Sequence, residues 1–188
     1  RSGSTLVYNL LRGVYPSAHV IKHHSYGWFF NHLKIVATVR HPFDCIASIH
    51  KANDWDISIE SVERGAARFF GNGGDAVVGI LDRPNVLVLK YEDFFGNFDV
   101  IFDAFESFFG EAIEPEVKAR LVDEFGIKNV KKITSEQESF KSWDQDTLFH
   151  GDHISEFNGR SGYAKELFNE EQLDRLEELS EGYMRAFG

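Results

Sequence analysis

Hydrophobic positions along the chain alternate between two spacings, and the changes of spacing mark its elements. Leu6-Val-Tyr-Asn-Leu-Leu11 starts with helical spacing directly after Arg1-Ser-Gly-Ser-Thr5. Lys34-Ile-Val-Ala-Thr-Val-Arg40 and Asn85-Val-Leu-Val-Leu-Lys-Tyr91 are short runs rich in β-branched and aliphatic residues, the pattern of strands covered on both faces. His19-Val-Ile-Lys22 reads as a further short strand. Pro42 ends the run before it, and Asp44 is expected to cap a helix carrying Ile46 and Ile49 inward. A helical stretch is expected around Ile59 to Phe70. Phe98, Ile101, Phe102, Phe105 and Phe109 form a helical stripe, and so do Phe168, Leu173, Leu176 and Leu179. Strands alternating with helices predict an α/β protein, a parallel β-sheet flanked by helices, in one domain over residues 1–188.

Two places carry candidate chemistry. Glycine and hydroxyl residues at a helix start make an anion cradle, because the first backbone N–H groups have no partner within the helix. Gly3 allows a positive φ and close approach, Ser4 and Thr5 offer hydroxyls, and Arg1 adds a planar cation. Arg40 stands at the carboxyl end of a strand, the edge where open α/β sheets bind ligands, and Ser48 follows it on the next helix.

These residues resemble the sulfotransferase family that uses 3′-phosphoadenosine 5′-phosphosulfate as donor. Members carry a relative of the P-loop, roughly Pro-(Lys or Arg)-Ser-Gly-(Thr or Ser)-Thr, and Arg1, Ser2, Gly3, Ser4 and Thr5 are similar to it. They also carry an arginine followed eight positions later by a serine, a spacing that Arg40 and Ser48 keep. The resemblance implies the P-loop-containing nucleotide hydrolase-like three-layer sandwich. It further implies that Arg1 and the loop bind the 5′-phosphosulfate while Arg40 and Ser48 bind the 3′-phosphate. A family strand ends in Lys-Thr-His, and alignment on the lysine places Lys22 beside the bridging oxygen and His24 as the base. An imidazole near its ordinary pKa of about 6.5 suits proton transfer near neutrality. His23, on the opposite face of an alternating strand, is the rival for that role.

Tyr91, in Tyr-Glu-Asp, falls where the family places an adenine contact. Toward the end of the chain the family has Arg-Lys-Gly, a further glycine and a lysine, in a loop over the 3′-phosphate. Gly159, Gly162 and Lys165 fit that register, but Phe157 and Asn158 replace the basic pair, leaving Arg160 to supply the charge or the segment to be a plain surface loop. A phosphate-binding loop of this kind ordinarily follows a strand, so the chain reads as lacking the family's first strand.

Composition narrows the alternatives. The chain has 188 residues with 20 Lys and Arg against 30 Asp and Glu, a net charge of −10. Residues 1–51 hold six basic side chains and one acidic, +5, which leaves −15 for the remainder. A basic segment inside an acidic protein suits a discrete anion site and argues against nucleic acid as a partner. The single cysteine, Cys45, excludes internal disulfides and fits a cytoplasmic location. No stretch is long and apolar enough to span a membrane. The spacing of His150 and His153 finds no matching zinc ligands, so no metal is expected.

The expected reaction is therefore transfer of a sulfuryl group to an acceptor hydroxyl or amine, with adenosine 3′,5′-bisphosphate as the other product. The acceptor is unidentified, with contacts expected from Tyr26-Gly-Trp28-Phe29 and the segment near Trp55. A non-catalytic or truncated relative is the alternative. A P-loop kinase using ATP is less favoured, because no lysine stands between Gly3 and Thr5.

Overall fold

A computed structural model describes residues 2–24, 28–139, 141–151 and 159–187. The chain divides into two compact units. One comprises the first two residues, His23–Glu92 and Arg160–Gly188; the other comprises Gly3–Lys22 and Asp93–Gly159.

The first unit is α/β. Strands β1 (Ile35–Val39) and β2 (Val86–Lys90) pair in parallel, Ile35 opposite Val86 and Val39 opposite Lys90. The connection runs through α2 (Pro42–Asn53), α3 (Ile59–Phe69), a π-turn (Phe70–Gly74) and α4 (Asp75–Val78). Helices α9 (Ala164–Leu167) and α10 (Glu170–Phe187) complete the unit, with α10 packed on α2 and α3. Pro42 occupies the first turn of α2, where its missing N–H costs nothing. Ser58 caps α3 by accepting the N–H of Ser61. Asn169 and Gln172 exchange side-chain to backbone hydrogen bonds at the start of α10, a reciprocal cap. The core lies between sheet and helices, with Val39, Cys45, Ile46, Ala47, Val62, Ala66, Leu89 and Leu176 buried.

The second unit is helical: α1 (Ser4–Val14), α6 (Asp99–Phe109), α7 (Pro115–Phe125) and α8 (Ile127–Ser135). The short α5 (Tyr91–Phe94) runs across the boundary between the units in sequence. The phenylalanine stripe behaves as core, with Ile101, Phe102 and Phe105 fully buried on α6. Each such side chain contributes about 1.5–3 kcal/mol through burial. Helix α1 packs on α7, and Asn9 ties it to the chain near Thr147 through a 2.7 Å hydrogen bond to that carbonyl.

Two expectations change. Residues 19–24 form no strand, so the alternation that would have set His23 and His24 on opposite faces does not apply. The run is too short and too polar at its lysine and histidines to pair without a neighbouring edge. Asp44 is not the cap of α2: His41 holds that position, and the Asp44 carboxylate, within the first turn, is 1% exposed and turned to another partner.

Candidate functional site

In the helical unit, Gly3 is the N-cap of α1 with φ 79° and ψ 8°, a left-handed conformation that favours glycine. No side chain caps this end and no acidic residue stands in the first turn. The positive end of the helix dipole is therefore left without a counter-charge from its own turn. Lys22 brings a second positive charge to the same place, its Nζ donating to Thr5 Oγ1 at 2.5 Å. Among the described residues Thr5 is its only hydrogen-bond or ion-pair partner. Burial holds the Lys22 ammonium below its ordinary pKa. A desolvated ammonium at a helix start that no side chain caps is a site that gains from an arriving anion.

In the sheet unit, the parallel register explains how residues 51 positions apart meet. Val39 and Lys90 are partners, so Arg40 and Tyr91 leave the two strands side by side, and the guanidinium carbon lies 4.2 Å from the Tyr91 ring centroid. Burial pushes the Tyr91 phenol up to about 12, against the opposing pull of Arg40. Arg40 donates to the Arg160 carbonyl at 2.9 Å and lies 3.6 Å from Asp44. Tyr183 on α10 donates its hydroxyl to the Arg40 carbonyl at 3.3 Å.

Arg40 directly follows β1 and Ser48 lies on α2, with Asp44, in the first turn of that helix, between them in sequence. Arg40 is 5% exposed and Ser48 6%, so both belong to the interior of the unit. Asp44 is the residue that sequence reasoning missed. Its carboxylate accepts the N–H groups of Gly162 at 2.7 Å and Ala164 at 3.1 Å, which pins the segment carrying Arg160. The only sequence signal was its place four residues after Arg40.

Arg160 itself points to Glu166, one nitrogen lying 2.6 and 2.7 Å from the two carboxylate oxygens. Gly159 stands just before it with φ 79°. Ser2 is tied by its hydroxyl to Thr38 on β1 at 2.7 Å. His23 and His24 are both exposed; the His23 ring lies 5.3 Å from that of Phe30, and the His24 carbonyl faces Gly73. Arg1 and Tyr26, expected at the donor and acceptor sites, lie outside the described residues, as do His153, Phe157 and Asn158.

Trp55 does not join the Arg40 end of the sheet unit. It follows the far end of α2, about 18 Å along a 12-residue helix from Pro42, and Arg64 covers its ring at 4.0 Å. A cavity of about 650 Å³ opens in the helical unit beside Lys118, Val122, Asp123, Ile127 and Lys128, and none of the expected site residues lines it. Among the described residues no group of three or more His, Cys, Asp or Glu gathers at metal-binding distance, and no helix is long and apolar enough to cross a membrane.

No protein-family model, no curated protein and no solved structure matches this chain.

Proposed function

We propose that the protein is a sulfotransferase that moves a sulfuryl group from 3′-phosphoadenosine 5′-phosphosulfate to an acceptor hydroxyl or amine, on a three-layer scaffold of the P-loop type. The observation that carries this reading is Lys22 donating to Thr5 at the uncapped start of α1. Two sources of positive charge converge there on hydroxyl and amide donors, with no carboxylate partner among the described residues.

The chain's own groups divide the work as follows. The amides after Gly3, the hydroxyls of Ser4 and Thr5, and Arg1 hold the 5′-phosphosulfate; Ser2 anchors the start of that loop to β1. Lys22 neutralises charge gathering on the phosphate oxygen as its bond to sulfur breaks, and that oxygen keeps the electron pair. The acceptor oxygen or nitrogen forms the new bond to sulfur, and its proton passes to the His24 imidazole. Little covalent chemistry falls to the protein, so positioning and fixed charge carry the rate. Arg40 and Ser48 take the 3′-phosphate, Arg160 and Gly159 serve the same group, and Tyr91 serves the adenine.

Arg40 lends this reading less support than Lys22, because Asp44 already sits beside its guanidinium and Glu166 holds Arg160. The same pairing favours a second reading, a non-catalytic relative that keeps the anion cradle and has turned its 3′-phosphate residues to structural use.

Calorimetric titration of adenosine 3′,5′-bisphosphate, with magnesium ATP in parallel, separates the two. Micromolar binding of the bisphosphate, lost in Lys22→Met and weakened in Arg40→Ala, with ATP binding far more weakly, supports the donor assignment. Binding that survives Arg40→Ala favours the non-catalytic relative, and no binding to folded protein overturns both.

A further inference from the structure

The π-turn Phe70–Gly74, Phe-Gly-Asn-Gly-Gly in sequence, interrupts the path from α3 to α4. Asn72 and Gly73 leave helical geometry inside it, and Gly73 takes φ 110° with ψ −4°. The segment is thus a kink between α3 and α4, and it brings backbone against backbone. A Cβ built on Gly73 would lie 2.4 Å from the His24 carbonyl oxygen, inside the 3.0 Å below which real Cβ atoms essentially never approach a neighbour. Gly71, two residues earlier in the same turn, has nothing within 4 Å of its own Cβ position.

The turn is held firmly from its other side. The rings of Phe69 and Phe70 meet Tyr183 edge-on, with centroids 5.3 and 6.2 Å away. Tyr183 in turn donates to the Arg40 carbonyl at the end of β1. A packed aromatic group therefore links the turn to the same strand end that carries Arg40.

We infer that Gly73 is a positioning residue for His24: lacking a Cβ, it lets the π-turn close on the His24 backbone and fix where the imidazole starts. This rests on the reading of His24 as the base, and the contact itself stands on geometry alone. Gly73→Ala forces one backbone to retreat by at least the 0.6 Å between 2.4 and 3.0 Å. The turn is braced by Phe69, Phe70 and Tyr183, so His24, in a stretch without regular structure, is the side that moves. A displacement on the order of 1 Å at a reacting group lowers turnover by up to about a hundredfold.

The test compares the His24 ring signals in proton–carbon NMR spectra, through a pH titration, in the parent, Gly73→Ala and Gly71→Ala, with and without saturating adenosine 3′,5′-bisphosphate. The expected result is shifted His24 signals and a moved titration midpoint in Gly73→Ala, parent-like spectra in Gly71→Ala, and parent-like bisphosphate affinity in both. A general loss of stability would not single out one imidazole in this way. If Gly73→Ala does not fold, Asn72→Gly, which removes side-chain atoms and loosens the turn, carries the comparison and should broaden or shift the same signals. Unmoved His24 signals in the folded variant overturn the inference. A parent that binds no bisphosphate sinks the sulfotransferase reading and leaves the Gly73–His24 contact to be decided by the spectra.

Discussion

Asp44 Oδ2 accepts the backbone N–H of Gly162 at 2.7 Å, joining the first turn of α2 to a segment 118 positions further along the chain. The same carboxylate takes the N–H of Ala164 and stands 3.6 Å from Arg40, with Asp44 itself 1% exposed. Removing it leaves two amides without their acceptor and takes the carboxylate from beside the buried Arg40 guanidinium, which keeps its bond to the Arg160 carbonyl. Asp44→Ala should cost about 3–5 kcal/mol. Asp44→Asn keeps one acceptor oxygen but turns an N–H₂ toward donors, and should cost about 1–3 kcal/mol. Urea unfolding checks both, with the midpoint falling in that order at unchanged slope.

Lys22 is expected to oppose folding slightly while serving binding. Its pKa is depressed by burial, so the unfolded chain holds the proton more tightly than the folded one. Stability should therefore rise with pH from the depressed folded value up through the ordinary lysine value of 10.5, and be lowest where both states are charged. Lys22→Met removes that dependence and should be as stable as the parent at neutral pH, or more so. It should also weaken bisphosphate binding by roughly ten- to a hundredfold, the loss of a charge-assisted contact of about 1.5–3 kcal/mol. Thermal melts from neutral to alkaline pH, beside calorimetry, read both effects.

Strand and helix periods made the α/β class legible, because β1 and β2 are short runs rich in β-branched and aliphatic residues. Gly3 was legible for the same local reason, a positive φ at a helix start. The segment 19–24 was not, since a short run of mixed polarity becomes a strand only if a neighbour offers an edge, and that is tertiary information. Asp44 was misplaced because an aspartate three residues into a helix looks like a cap, and only the folded chain brings Gly162 and Ala164 to it. The contact between Gly73 and His24 depends on a kink between α3 and α4 that no sequence period announces.

Glu166 should restrain Arg160 without stabilising the fold. Their pair is 55% and 52% exposed, and exposed pairs contribute about 0–1 kcal/mol. Glu166→Gln should leave the unfolding midpoint nearly unchanged. If Arg160 serves the 3′-phosphate, the same variant should bind the bisphosphate a few-fold more tightly, by up to the roughly 1 kcal/mol such a pair holds. Equal affinity in parent and variant, measured by calorimetry at low salt, would remove Arg160 from the binding site.

His50 sets an acid limit on the sheet unit. It is 2% exposed, between the edges of Trp55 and Phe168, with Nδ1 3.2 Å from the Asp56 carbonyl and Nε2 against Gly65. Nε2 has no hydrogen-bond partner among the described residues, so the neutral ring donates from Nδ1 and keeps Nε2 bare. Burial lowers its pKa from 6.5, and Arg64 adds to that, against the opposing effects of the Asp56 and Ser61 backbone. The folded state thus takes up the proton later than the unfolded one as pH falls. Stability should be level above about pH 7, then decline below 6.5 until the depressed folded value is reached, by up to about 1.4 kcal/mol per pH unit. His50→Leu, similar in volume, should lose this decline, and subtracting its urea-unfolding profile from the parent's isolates His50 from the other histidines. Gly65→Ala sets a Cβ 2.8 Å from Nε2 and 3.0 Å from an Ile46 methyl, and should destabilise by about 1–3 kcal/mol despite the better helix former. In the His50→Ala background, where the ring is gone, the added methyl should cost much less, and equal costs in the two backgrounds would show that the ring does not set the limit at Gly65.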